Sequence, residues 1–201
     1  MDARAPSGGM LLAAGRGTSF GGQKHNLELR GSPLWQWDQR ALVDGGVGQV
    51  VIVGDLDGAV PGGDRRQDSV AAGLAQVPDE DGLVLVHDAA RPLLTPDVVR
   101  RVIARLVVGD VAGVIPAVPV RDTIKRVERE RVVETVERSD LIAVQTPQGF
   151  DLRTLRAAHA ASSIEATDDA SMVESIGESI AVVEGDPMNR KVTNTEDLLF
   201  V

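Results

Sequence analysis

From Met10 to Lys24 the chain reads MLLAAGRGTSFGGQK, and the residue types in it suit one chemistry, the cradling of a polyphosphate. Ala13, Ala14, Gly15 and Gly17 are small enough to let backbone N–H groups come close to phosphate oxygens. Lys24, at the far end, can set a point charge on those oxygens. The spacing is not that of a Walker A loop, since no Ser or Thr follows the lysine, and Phe20 breaks a GxGxxG reading. A plain glycine-rich turn from strand to helix is the alternative that these residues leave open. Two further clusters could carry chemistry. In GGDRRQDSVAAGL, Ser69 stands at a helix start, where a serine is most often only a cap. In HDAARP, Asp88 ends an apolar run, where a carboxylate can reach Mg²⁺ or a substrate hydroxyl. His87 beside it reads as a packed strand-end histidine.

Composition narrows what such clusters could serve. The chain has 201 residues, 43% of them hydrophobic, enough for one good-sized core in a single domain with an excursion. Its 21 basic and 30 acidic residues give a net charge of −9, which argues against nucleic acid or an anionic membrane as partner. Without cysteine there are no disulfides, thiolate metal sites or thiol nucleophiles. MDARAPSGG has no apolar signal region and no apolar run approaches membrane-spanning length, so a cytoplasmic protein is expected. With three Phe, two Trp and no Tyr, base stacking is not a theme.

The positioning elements alternate. Met10–Leu12 reads as a buried strand, and Ser32-Pro33 as the cap and first residue of a helix running to Gly45-Gly46. Strands follow at Gln49–Val53, Leu83–Val86, Val111–Ile115, Leu141–Val144 and Ile180–Val183. Helices are expected from Asp68 or Ser69, from Thr95-Pro96, after Asp151, over TDDASMVESIG and from Thr195, with a turn over Gln145–Gly149. This pattern predicts an α/β fold, a Rossmann-like, doubly wound and mostly parallel sheet with ligands at the strands' carboxyl ends. Residues 120–138 depart from it. They are highly charged with scattered Val, Thr and Ile, and predict a projecting β-hairpin arm that either packs on a partner subunit or stands in solvent.

Taken together, LLAAGRG, GGDRRQDSVAAGL, HDAARPLLTPD, PVRDTIKRV, QTPQGF, TDDASMVESIG and NRKVTNTEDL resemble, in order and spacing, the 2-C-methyl-D-erythritol 4-phosphate cytidylyltransferases of the non-mevalonate isoprenoid pathway. The resemblance covers nearly the whole chain, residues 1–201, as a single nucleotidyltransferase domain. It implies that CTP and a polyol phosphate give a CDP-alcohol and pyrophosphate with Mg²⁺, and the charged arm makes a homodimer the expected assembly. Ribitol 5-phosphate cytidylyltransferases share most of these motifs, so that acceptor remains open.

The resemblance also implies roles. Ala13, Ala14, Gly15 and Gly17 would hold the nucleotide through the backbone, and Lys24 would be the catalytic lysine on the triphosphate. Gly63, Asp64 and Ser69 would read the cytosine, with Arg66 beside them. Asp88 and Arg91 would belong to the acceptor side, Asp88 also being the metal ligand, and Thr123, Arg138 and Lys191 would serve the acceptor's phosphate. One departure stands out. Where the family carries an arginine in the first loop this chain has Ser19, and Gln23 replaces the proline before the lysine. Arg16 is the candidate substitute cation, and a catalytically weakened homologue is the reading that Ser19 favours.

Overall fold

Residues 6–14, 27–78, 82–161 and 166–200 are described by the computed structural model. Its centre is β1 (Pro6–Ala13), whose Met10, Leu11 and Ala13 are buried. Parallel to it run β4 (Val50–Gly54) on one side and β5 (Leu83–Asp88) on the other. Chain direction across the sheet therefore reverses at β1, and the crevice beyond the carboxyl ends of β1 and β5 is the switch point where such sheets take ligands.

The sheet continues through β10 (Gln148–Asp151), β6 (Gly113–Pro119) and β11 (Ile180–Glu184), in the order β11-β6-β10-β5-β1-β4, with β9 (Ile142–Val144) also paired to β6. β9 and β10 run antiparallel to their neighbours and the rest of the pairs are parallel. Side chains alternate along the strands. Met10, Leu12, Val84 and Val86 face a core closed by α2 (Arg66–Leu74), α4 (Leu152–Ala161) and α5 (Asp169–Ser175). Leu83 and Leu85 face a second core under α1 (Leu34–Asp44) and α3 (Pro96–Val107). Among the described residues no helix is long and apolar enough to cross a membrane.

The α/β sheet and most of its elements match the sequence reading, and four local expectations need correction. Ser32-Pro33 does not open α1. It forms a short strand, β3 (Ser32–Pro33), paired with β2 (Glu28–Leu29), and Pro33 at ψ 145° keeps the chain extended until Leu34. α2 begins at Arg66, two residues before Asp68, because the Asp68 carboxylate reaches back to accept the Arg65 N–H at 3.2 Å. β6 extends to Pro119, past the expected end at Ile115, since proline inside a run reads as a strand breaker. The expected turn at Gln145–Gly149 ends in β10, whose Phe150 is wholly buried between β5 and β6.

The arm is as expected, a hairpin of β7 (Ile124–Glu128) and β8 (Arg131–Val136). Its tip places Arg129 and Glu130 at φ 45° and 67°, the left-handed pair that a two-residue hairpin turn requires.

Candidate active site

The carboxyl end of β1 brings Ala13 and Ala14 against the loop before α2. A side chain added at Gly62 would strike the Ala14 Cβ, so glycine there permits the two backbones to meet. Ser69, buried in the first turn of α2, accepts the Gly63 N–H at 3.1 Å and lies 3.3 Å from the Arg65 carbonyl, to which it donates. It ties the loop to the first turn of α2, while the cap of that helix is made by Arg65 and Asp68. Asp64 and Gly63 are exposed on that loop. Gly15, Arg16, Gly17, Ser19 and Lys24 lie outside the described residues.

Asp88, the last residue of β5, is the hub of the second half. Its Oδ2 receives Lys191 Nζ at 2.7 Å and its Oδ1 the Arg66 Nε at 3.3 Å. Burial works against its ionisation, but the Arg66 guanidinium and the Lys191 ammonium outweigh that and hold the carboxyl well below the usual carboxylate range. Burial likewise opposes the charge on Arg66, and the Asp169 and Asp88 carboxylates reverse the effect, raising its pKa. Arg66 Nη1 meets Asp169 Oδ2 at 2.7 Å, while His159 Nε2 lies 3.2 Å from the other Asp169 oxygen. Arg91 is turned along the back of the site, its Nη1 donating to the Asn189 carbonyl at 2.8 Å.

The QTPQ turn holds this half together. The Gln145 side chain donates to the Asp186 carbonyl at 2.8 Å and accepts the Asp186 N–H at 3.0 Å, while the Gln148 side chain bonds Asp168 at 2.8 Å and the Ala170 N–H at 3.2 Å. Thr146 accepts the Asp88 N–H at 3.2 Å, and its carbonyl accepts the Asn189 amide at 2.8 Å. Beneath them, His87 Nε2 stands 3.3 Å from Asp38 Oδ1, and burial pushes the Asp38 carboxyl up while His87 opposes it.

The structure thus unites Asp88 and Lys191 across 103 positions of sequence and ties Arg91 to Asn189, two residues before Lys191. It does not unite them with Thr123 and Arg138. Both are exposed beside the arm, and none of the described hydrogen bonds or ion pairs joins their side chains to Asp88, Arg91 or Lys191. Sequence reasoning gave no role to Asp38, Thr146, Asp169 or Asn189, and left Arg66 only as a neighbour. QTPQ and TDDAS were visible as motifs, and that was the one available signal, because their partners are far away in the chain. Among the described residues no group of three or more His, Asp or Glu is placed to hold a metal.

Comparison with known proteins bears on this arrangement. The family model described as 2-C-methyl-D-erythritol 4-phosphate cytidylyltransferase matches residues 9–201. The protein of that name from Corynebacterium efficiens is 41% identical over 98% of this chain and 92% of its own length. The one from Streptomyces coelicolor is 43% identical over 98% of this chain and 83% of its own length. The bifunctional enzyme IspD/IspF of Solidesulfovibrio magneticus is 43% identical over 94% of this chain, which spans 54% of that longer protein. Among solved structures, the 2-C-methyl-D-erythritol 4-phosphate cytidylyltransferase of Thermus thermophilus superposes with a TM-score of 0.78 at 35% identity, covering 94% of each chain.

Proposed function

The chain belongs to the 2-C-methyl-D-erythritol 4-phosphate cytidylyltransferase family, and from that premise we propose how its residues work. A phosphate oxygen of 2-C-methyl-D-erythritol 4-phosphate attacks the α-phosphorus of CTP. A new P–O bond forms as the bond to the β-phosphate bridge breaks, so CDP-methylerythritol is made and pyrophosphate leaves. Two anions must meet, and the protein's contribution is to orient them and neutralise charge.

The observation that carries this reading is the Lys191–Asp88–Arg66 cluster at the carboxyl end of β5, beside Ala13 and Ala14 at the end of β1. By their place in the motif Ala13, Ala14, Gly15 and Gly17 would hold the nucleotide through the backbone, and Lys24, with Arg16, would supply cations to the triphosphate. Gly63, Asp64 and Ser69, joined by the Gly63 N–H to Ser69 bond, would read the pyrimidine. Asp88 takes an acceptor hydroxyl, and Lys191, its side chain 48% exposed, can leave Asp88 for the acceptor's phosphate. Arg91 supports them from behind.

Mg²⁺ is the cofactor. A cation that arrives on a triphosphate needs only one or two protein carboxylates, and Asp88, kept ionised, would hold it through Oδ2 once the half-exposed Lys191 side chain swings away. When bound, it offsets negative charge on the phosphate oxygens. The protein works in the cytoplasm as a homodimer. Val127, Val132, Val133, Leu141 and Ile142 are exposed along the arm and β9, and their covering by a second copy would bring that copy's Thr123 and Arg138 toward this acceptor site. The test is pyrophosphate release with Mg²⁺ and methylerythritol phosphate at matched nucleotide concentrations. CTP should turn over at least tenfold faster than GTP or ATP. Equal rates with GTP would refute the pyrimidine reading.

A further inference from the structure

Asp38 lies in the middle of α1 on its inner face, fully buried in the company of Leu34, Ala41 and Leu42. A carboxylate at a core position of an amphipathic helix breaks the pattern of the helix and is costly to bury unless partnered. The one side chain at ion-pair distance from it among the described residues is His87, also fully buried, with Nε2 3.3 Å from Asp38 Oδ1, although neither atom makes a hydrogen bond. The other ring nitrogen, Nδ1, is 2.8 Å from the Thr146 hydroxyl. That hydroxyl also accepts the N–H of Asp88 at 3.2 Å.

A hydroxyl carries one proton. The Asp88 N–H comes to the oxygen as a donor, so the hydroxyl proton is free to go to His87 Nδ1. When it does, Nδ1 is the acceptor and the ring proton sits on Nε2, the nitrogen 3.3 Å from Asp38 Oδ1. The chain of contacts has one consistent direction, from the Asp88 backbone to Thr146, to His87, to the buried carboxylate. Thr146 is also the meeting point of the acceptor side, since its carbonyl accepts Asn189, and the Asn189 carbonyl accepts Arg91 at 2.8 Å.

We infer that Asp38 and His87 are positioning residues of the acceptor half-site: Asp38 fixes the Nε2–H form of His87, His87 fixes the Thr146 hydroxyl, and Thr146 fixes the peptide that carries Asp88. The inference rests on the proposed reaction for what Asp88 binds, but the hydrogen-bond direction stands apart from it. Neither residue touches substrate. Their effect falls on the acceptor side and leaves the nucleotide side alone, which a general loss of packing would not do.

The test uses the full chain with Asp38→Asn, which keeps an oxygen for Nε2–H, and Asp38→Leu, which removes it at similar volume. Steady-state rates are measured with methylerythritol phosphate varied at saturating CTP, then the reverse, and the His87 ring is read by long-range ¹⁵N–¹H NMR. Expected is an Nε2–H ring in the wild type. Asp38→Leu should lose tenfold or more in kcat/KM for the acceptor with the KM for CTP within twofold, and its His87 should no longer be held in the Nε2–H form. Asp38→Asn should stay within threefold of wild type in both. An Nδ1–H ring in the wild type overturns the inference whether or not Asp38→Leu folds. So does an Asp38→Leu enzyme that matches wild type, or one that raises both KM values alike. Should the wild type not turn over this acceptor, the reading of the function fails, and the wild-type tautomer alone decides the positioning claim.

Discussion

Asp88→Asn keeps the shape of the side chain and removes the charge that two cations share. The residue's side chain is 13% exposed and receives Lys191 at 2.7 Å and Arg66 at 3.3 Å. Breaking a buried ion pair from one side costs about 3–5 kcal/mol. Lys191 can return to water, and Arg66 retains Asp169, so the expected loss is smaller, about 2 kcal/mol at pH 7. With a urea slope of about 2 kcal/mol/M, the unfolding midpoint should fall by about 1 M. Acid supplies an internal control. Asp88 is held below the usual carboxylate range in the folded protein. Its contribution is therefore complete above the unfolded carboxyl's pKa near 4 and fades as pH falls below that, toward the folded value. The gap between wild type and Asp88→Asn should be full from pH 6 to 8 and should shrink as pH drops to about 3. Urea titrations followed by circular dichroism at pH 7, 5 and 3.5 measure it. A midpoint shift under about 0.2 M at pH 7, or a deficit that does not change down to pH 3.5, would refute the electrostatic account of Asp88.

Other substitutions probe separate parts of the site. Ser69→Ala leaves the Gly63 N–H without its acceptor, and a lost hydrogen bond of about 1–1.5 kcal/mol should raise the KM for CTP about tenfold while the KM for the acceptor stays within twofold by initial rates. Gln148→Leu strips partners from Asp168 and the Ala170 N–H, both at the start of α5, and should cost about 2 kcal/mol, lowering the calorimetric Tm by about 6 °C. Lys24→Ala, argued from the loop's motif, should cut kcat at least a hundredfold, about 3 kcal/mol, with Tm unchanged. Restoring the family cation with Ser19→Arg should raise kcat, and an unaffected Lys24→Ala enzyme would count against the phosphate-loop reading.

What the sequence made legible follows from range. β1, β4 and β5 each contain a run of four apolar residues, Met10–Ala13, Val50–Val53 and Leu83–Val86, beside turn signals, so local pattern was enough to find them. β10 was not legible, because Gln148 and Gly149 read as turn residues, and the burial of Gln148 becomes tolerable only with Asp168 and Ala170 folded against its amide. The same holds for the site. Asp88 and Lys191 were identifiable by motif, yet their 2.7 Å contact, and the bridge that Arg66 makes to Asp169, join residues about a hundred positions apart. Asp38 is the reverse case. A polar residue on the inner face of α1 was in plain view, but only His87 behind it gives that exception a meaning. Thr123 and Arg138 mark the limit of the motif reading, since both are exposed beside the arm, away from the groups with which they were grouped.

The central claim is that the Asp88–Lys191–Arg91 half of the site takes methylerythritol phosphate. Its most direct measurement is kcat/KM from continuous pyrophosphate release at saturating CTP and Mg²⁺, with 2-C-methyl-D-erythritol 4-phosphate and ribitol 5-phosphate as competing acceptors. The account predicts at least a hundredfold preference for the methylerythritol phosphate, falling tenfold or more when Lys191 is replaced by Ala. Equal or faster turnover of ribitol 5-phosphate would contradict it.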